Sequence, residues 1–323
     1  MKMNNRYYMG IDTSNYTTSI AVIDEANNVV LDLRKILEVG KGKKGLRQQE
    51  AVFQHVNNLP ELIDKAATSI DVSKICSVSC SHKPRNIEES YMPVFNVGKG
   101  QAVIISRLLK ADYCEFSHQE GHIGAGIIYN ELKYSKRFMS LHISGGTTEL
   151  LVVKNLSYGF SIEIIGGTLD ISVGQLIDRI GVEMGLMFPC GREMDSLSQD
   201  GKPLNMKIPL SIKDNTWFNL SGMENYFKNL IHSNSYSIED VLNTLFNTIS
   251  SYLLEIIIKG SKIYNCNDIL ITGGVSANRI IRENLMKKLV DENISAYFPD
   301  IRLCTDNAVG IAYLGKVKTT SRW

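Results

Sequence analysis

The stretch FMSLHISGGTTELLVV, residues 138–153, decides the fold: an apolar run, a turn of small polar residues, and a second apolar run. Glycines and hydroxyl residues between two β-prone runs predict an antiparallel hairpin. Phe160 to Ile165 then reads as a third strand, and apolar spacing over 171–184 predicts a closing helix. The same order has already run once. Residues 8–23, YMGIDTSNYTTSIAVI, give strand, polar turn and strand, with the Thr17-Thr18 pair where the later hairpin has Thr147-Thr148. Val29-Val30-Leu31 supplies the third strand after the Asn27-Asn28 turn. Val52, Val56, Leu59, Leu62, Ile63 and Ala66 then recur at helical spacing, with a kink or break expected at Pro60. The repeat of architecture predicts two similar α/β units.

The rest of the chain fits that plan. Ile75-Cys76-Ser77-Val78 reads as a strand, 98–110 and 118–130 as helices, and 201–215 as polar loop. A long helix over 238–258, a strand over 268–272, a helix over 277–289, a strand over 294–298 and a last helix from Asp306 complete it. A length of 323 residues favours two domains. Lys plus Arg number 35 and Asp plus Glu 34, so no bulk field drives the chain onto nucleic acid, although a local basic patch or a basic partner still could. Six cysteines are too sparse for a disulfide scaffold and read as buried thiols. The N-terminal residues carry no apolar leader, and no apolar stretch approaches the ~20 residues of a membrane span. A cytoplasmic protein with no membrane partner is expected.

Four motifs carry chemistry. His118 and His122 stand four apart, on one face of a helix, which suits two imidazoles on one divalent metal or a plain surface pair. Glu120 falls on a different face, so a metalloprotease with glutamate as base is a poor reading. Ser144-Gly145-Gly146-Thr147-Thr148 allows close backbone approach to phosphate or carboxylate oxygens, or is an ordinary hairpin turn. In Thr272-Gly273-Gly274-Val275-Ser276-Ala277-Asn278-Arg279 a strand ends in two glycines and a helix begins, as at nucleotide sites. It matches neither the Rossmann fingerprint nor a P-loop. In Cys304-Thr305-Asp306-Asn307-Ala308, Asp306 is either a helix N-cap or a carboxylate free to complete a metal site.

Taken together and in this order, from Gly10 to about Gly315, the four motifs resemble the TsaD/Gcp family, the threonylcarbamoyladenosine transferases of tRNA modification, formerly called O-sialoglycoprotein endopeptidases. The resemblance implies two RNase-H-like domains of the actin, sugar-kinase and Hsp70-like ATPase fold, with nucleotide in the cleft between them. The expected division is 1–135 and 136–323, with the last helix, about 306–316, packing back on the first domain. It implies one divalent metal, iron or zinc, on His118, His122 and Asp306. It places a threonylcarbamoyl-adenylate, or ATP, on His142, Ile143, Ser144, Gly145 and Gly146. Asp178 would take the ribose, Gly191 and Asp195 would line the nucleoside, and Asn278 would touch the same ligand. The implied partners are tRNA and the adenylate-forming and accessory proteins of tRNA modification, in a homo- or heterodimer.

Departures from the family pattern cluster in the loops. Asn15-Tyr16-Thr17-Thr18 stands where the family has Cys-Asp-Glu-Thr, and Thr147 where it has histidine. Asp170-Ile171 replaces an Asp-Asp pair, Gly174-Gln175 a Gly-Glu, and Met223-Glu224 a Leu-Lys. Ser81-His82-Lys83-Pro84-Arg85-Asn86 replaces a Gly-Pro-Gly loop, and Lys83 and Arg85 are expected to meet a phosphate instead. These changes predict a transferase of reduced or specialised activity. The alternative is a metal- and nucleotide-binding paralogue acting as a scaffold or on a different carbamoyl acceptor.

Overall fold

In the computed structural model, described for residues 6–14, 16–40, 45–206, 208, 212–213 and 215–321, the two hairpins form with the expected pairing. Asn15, the first residue of the altered turn, lies outside the described residues, as do residues 1–5 and parts of the expected 201–215 loop. Strands β1 (Tyr7–Ser14), β2 (Thr17–Asp24) and β3 (Val29–Ile36) make an antiparallel meander. Helix α1 (Gln48–Ser69) leads to β4 (Ile75–Lys83), and α2 (Phe95–Leu109) leads to β5 (Asp112–Ser117). Both later strands add in parallel, giving the order β3-β2-β1-β4-β5. Helix α3 (His118–Ile127) follows β5 without a gap.

The second half repeats this topology. Strands β6 (Arg137–Ile143), β7 (Thr148–Leu156) and β8 (Gly159–Thr168) form the meander, followed by α4 (Val173–Glu183) and α5 (Gly191–Ser198). After β9 (Ile212–Lys213) and β10 (Trp217–Phe218) come α6 (Ser221–His232) and α7 (Ile238–Tyr264). Strand β11 (Asp268–Thr272), α8 (Arg279–Asp291), β12 (Ser295–Tyr297), α9 (Ile301–Cys304) and α10 (Val309–Thr320) close the chain. The sheet order is β12-β11-β6-β7-β8-β10-β9, so its first five strands match the other sheet with two short strands added at one edge.

Three local expectations change. Helix α1 runs through Pro60. The proline lies on the exposed face, where water can satisfy the carbonyl left without its N–H partner. The expected 201–215 loop contains β9 and is followed at once by β10, two residues each, too short for periodicity to reveal. Helix α7 is long and apolar enough to cross a membrane by length and composition, yet 67% of its apolar window is buried in the protein. It packs with β6, β7 and α8 in the core of the second sheet.

Between the two sheets lies another core. Tyr8, Ala21 and Ile23 of the first sheet and Phe138, Leu151 and Phe160 of the second close over α3 and α10. Both helices approach their neighbours at glycine. A side chain at Gly10 on β1 would overlap the backbone of Ala308 and Ala312, and one at Gly310 would overlap the backbone of Gly121 and Ala125. Thus α10 crosses β1 and lies along α3 at backbone contact. The segment just before α10 is thereby brought to the first turn of α3.

Candidate functional site

Helix α3 begins at a capping box. Ser117 Oγ accepts from the Glu120 N–H at 3.1 Å, and the Glu120 carboxylate accepts from the Ser117 N–H at 2.8 Å. Glu120 therefore serves the helix end and not the chemistry. The cap fixes the helix phase, so His118 and His122 point the same way, one turn apart. Asp306 is not an N-cap, because α10 starts at Val309, whose N–H is taken by the Asn307 side chain at 3.0 Å. Its carboxylate is free to turn toward the histidines.

The three ligand atoms converge. His118 Nε2 and His122 Nε2 are 3.0 Å apart, and Asp306 Oδ1 lies 3.5 Å and 3.3 Å from them. A cation about 2.1 Å from each donor, with angles of about 90–110°, needs donor separations of about 3.0–3.5 Å. The triangle matches those separations, so the donor set fits a divalent ion on one face and leaves the opposite face for a ligand.

Asp12, near the end of β1 and fully buried, orients His118 from behind. Its carboxylate accepts from His118 Nδ1 at 3.2 Å, from Ser14 Oγ at 2.7 Å and from Ser81 Oγ. With Nδ1–H engaged by Asp12, His118 Nε2 is the ring nitrogen facing the triangle. Burial alone would push His118 down, but Asp12 and then Asp306 outweigh it and lift its pKa to about 10. Burial pushes Asp306 up, and the two histidines outweigh that and hold it well below the usual carboxylate range. Burial and the charge of His118 push His122 down. No sequence motif assigned Asp12 a role here. The available signal was an ionisable residue ending an otherwise apolar strand.

Of the residues expected to hold an adenylate, His142 lies beside the triangle of His118, His122 and Asp306. Its ring packs 4.6 Å from that of His122, its Nδ1 is 3.2 Å from Thr272 Oγ1, and burial holds its pKa far down. Two residues on, about 7 Å along the strand, the Ser144-Gly145-Gly146 turn begins. Ser144 N–H donates to Thr147 O at 2.9 Å and Gly146 N–H to Ser144 Oγ at 3.3 Å. Of the three amides, only that of Gly145 has no partner among the described residues. A side chain at Gly145 or Gly146 would meet nothing within 4 Å, so the space over the turn is open. The start of α4 lies beneath it, with Gly174 N–H on Ser144 O and Ser172 Oγ on Gly145 O.

Ile143 meets the second glycine motif. Gly273 has φ +91°, and a side chain there would overlap the Ile143 carbonyl, so glycine is required. Beyond it, Asn278 caps α8 by accepting from Ile281 N–H at 3.0 Å. Asp195 on α5 accepts from both the backbone N–H and Nε of Arg279, each at 3.0 Å. Asn278 and Asp195 therefore already have protein partners. Asp178 on α4 accepts from the Cys190 N–H at 2.8 Å, next to Gly191, and burial raises its pKa. The 81–86 loop departs from expectation too. Lys83 Nζ donates to Ile87 O at 3.3 Å, and Arg85 pairs with Glu149 at 2.6 Å, so Arg85 is already engaged by a carboxylate rather than left for a phosphate.

The family model for tRNA N6-adenosine threonylcarbamoyltransferase matches residues 37–313. A protein of that name from Sulfurihydrogenibium sp. (strain YO3AOP1) is 31% identical, over 95% of this chain and 89% of its own length. Another, from Caldicellulosiruptor saccharolyticus, is 30% identical over 96% and 92%. Among solved structures, component A of the (R)-2-hydroxyglutaryl-CoA dehydratase of Acidaminococcus fermentans superposes with a TM-score of 0.57 at 15% identity, covering 98% of this chain and 99% of that one. A ROK-family glucokinase from Streptomyces griseus, solved with glucose and AMPPNP, gives 0.53 at 9%, covering 96% and 98%. At such identities the likeness is one of fold, and the fold is that of the sugar-kinase-like ATPases.

Proposed function

The chain belongs to the tRNA N6-adenosine threonylcarbamoyltransferase family, and on that premise we propose how its site carries out the reaction. The enzyme transfers a threonylcarbamoyl group to N6 of adenosine in tRNA. The donor is threonylcarbamoyl-adenylate: the N6 amine attacks its carbonyl carbon, the bond to the phosphate oxygen breaks, AMP leaves and one amine proton is released. The observation that carries the reading is the triangle of His118, His122 and Asp306, joined by His142 to the open glycine turn. His118, His122 and Asp306 would hold a divalent metal, iron or zinc, which when bound would supply Lewis-acid polarisation of an oxygen of the substrate. The Gly145 N–H is the turn amide left to face oxyanion charge. Asp178 takes the ribose hydroxyls, while Gly191, Asp195 and Asn278 shape the nucleoside side. The chain divides into domains at 135/136, and its partners include an adenylate-forming protein.

Asp178→Asn is expected to weaken AMP binding by about 1.5–3 kcal/mol, the range for a hydrogen bond to a charged group. The amide oxygen can still accept from Cys190 N–H, so the loop before α5 keeps its anchor. Titration calorimetry giving parental affinity would remove Asp178 from the ribose.

The function itself is tested by reconstitution with the cell's own adenylate-forming protein and transcribed tRNA, followed by nucleoside mass analysis. Modified adenosine is expected at a lower rate than a typical family member gives, because Thr17 and Thr147 replace an acid and a histidine. One aimed group near a reacting carbonyl is typically worth about 10²–10³ in rate. Thr147→His is expected to recover part of it. No product under any condition would turn the reading toward a scaffold, and full turnover unaltered by Thr147→His would make these substitutions neutral.

A further inference from the structure

The end of β4 and the loop after it, residues 81–86, bind parts of the molecule far apart in sequence. Ser81 Oγ donates to Asp12, the carboxylate behind His118. His82 Nδ1 donates to Phe116 O at 2.9 Å. Pro84 O accepts from the Gln119 N–H at 3.0 Å, one of the first-turn amides of α3 that have no partner within the helix. Arg85 Nη2 lies 2.6 Å from Glu149 Oε1 on β7, and Asn86 Nδ2 donates to Phe160 O on β8 at 3.2 Å. The loop is thus a strap from the first sheet, over the start of α3, to the second sheet.

Glu149 is where the strap and the metal helix meet. It lies directly across from His142 in the β6–β7 pairing and is nearly buried. Its other oxygen accepts from Gln119 Nε2 at 3.0 Å. One carboxylate therefore grips α3 beside His118 and is itself gripped by Arg85. We infer that Arg85 and Glu149 are positioning residues for the metal site: together they set the first turn of α3, and so His118, against the second sheet. This rests on the metal reading above and deepens it. A group bonded directly to a metal ligand, as Asp12 is to His118, commonly governs affinity by about 10–100-fold; Arg85 and Glu149 act one residue further out, through Gln119, so the lower end of that range is expected. Gly-Pro-Gly at these positions could make neither the Arg85 pair nor the Asn86 bond, so the loop's departure from the family has a consequence inside the site.

The test measures Zn²⁺ affinity of the purified, metal-stripped full chain against a chromophoric chelator, well below the unfolding temperature, with Tm recorded in parallel. Variants are Arg85→Met, Glu149→Gln, their double, and His118→Ala with His122→Ala. Glu149→Gln keeps the volume and can still accept from Gln119, which guards against a folding failure at Arg85. Each single strap change is expected to weaken Zn²⁺ binding about tenfold. The double should be no weaker than the worse single, since the residues act through one contact. Parental affinity with a lowered Tm would make the pair a structural ion pair only and overturn the inference, as would penalties that simply add. If the double histidine variant keeps its zinc, the triad reading fails and takes this inference with it, an outcome distinct from failure of the strap alone.

Discussion

Elemental analysis of the variant His118→Ala, His122→Ala is expected to find no divalent metal, against one ion per chain for the parent. The argument is one of ligand count. The triangle has two nitrogen donors and one carboxylate oxygen, and removing both nitrogens leaves Asp306 alone. A single carboxylate does not hold a transition metal against water and buffer. The fold is expected to survive. Asp12 keeps the Ser14 and Ser81 hydroxyls as donors when His118 is gone, and Asp306 is partly exposed and can take water. The capping box of α3 uses Ser117 and Glu120, neither of which changes. Stability should fall, since His122 is buried and two carboxylates lose a favourable neighbour. Cooperative unfolding with no metal is the expected pair of observations. Full metal retention in a folded variant would place the ion elsewhere.

What the sequence disclosed and what it hid divide along contact distance. The strands and both hairpins were legible because alternation has a period of two and each turn carries its own polar signal, as in Ser144-Gly145-Gly146. The pairing of His118 with His122 was legible because four residues make about one helical turn. Helix α5 escaped notice: its eight residues, GREMDSLS, bury only Met194 and Ser198, too few to mark a face. Asp306 read equally well as an N-cap, and only the bond from the Val309 N–H to Asn307 decides that it is not one. The strap was illegible. Its bonds join Arg85 to Glu149, Asn86 to Phe160 and Ser81 to Asp12, and nothing local in Ser81-His82-Lys83-Pro84-Arg85-Asn86 distinguishes a strap from an exposed loop. The family resemblance supplied the candidate ligand set, His118, His122 and Asp306. It could not supply contacts made by residues the family pattern does not contain.

Gly310→Ala is expected to cost the chain about 3 kcal/mol or more of stability and to loosen the metal site as well, while Gly145→Ala costs almost nothing. Both add one methyl group. At Gly310 that carbon would overlap the Gly121 carbonyl and stand 2.5 Å from Ala125 N, all backbone of α3. Backbone atoms cannot swing aside as a flexible side chain can, so α3 and α10 must separate. Overpacking a tight core costs about 1–3 kcal/mol and at times more; here the unyielding neighbour argues for the upper end. The displacement also bears on the chemistry. His118 and His122 ride on α3, Asp306 lies three residues before α10, and the triangle's sides of 3.0–3.5 Å leave little room for a shift between the helices. At Gly145 the new carbon meets nothing within 4 Å, and the residue does not have a positive φ. Thermal unfolding of the two variants, with zinc affinity measured alongside, gives the comparison. Equal melting temperatures would show that α3 and α10 are not locked at backbone contact. A destabilised Gly310→Ala with parental zinc affinity would mean that the triad tolerates movement between its two helices.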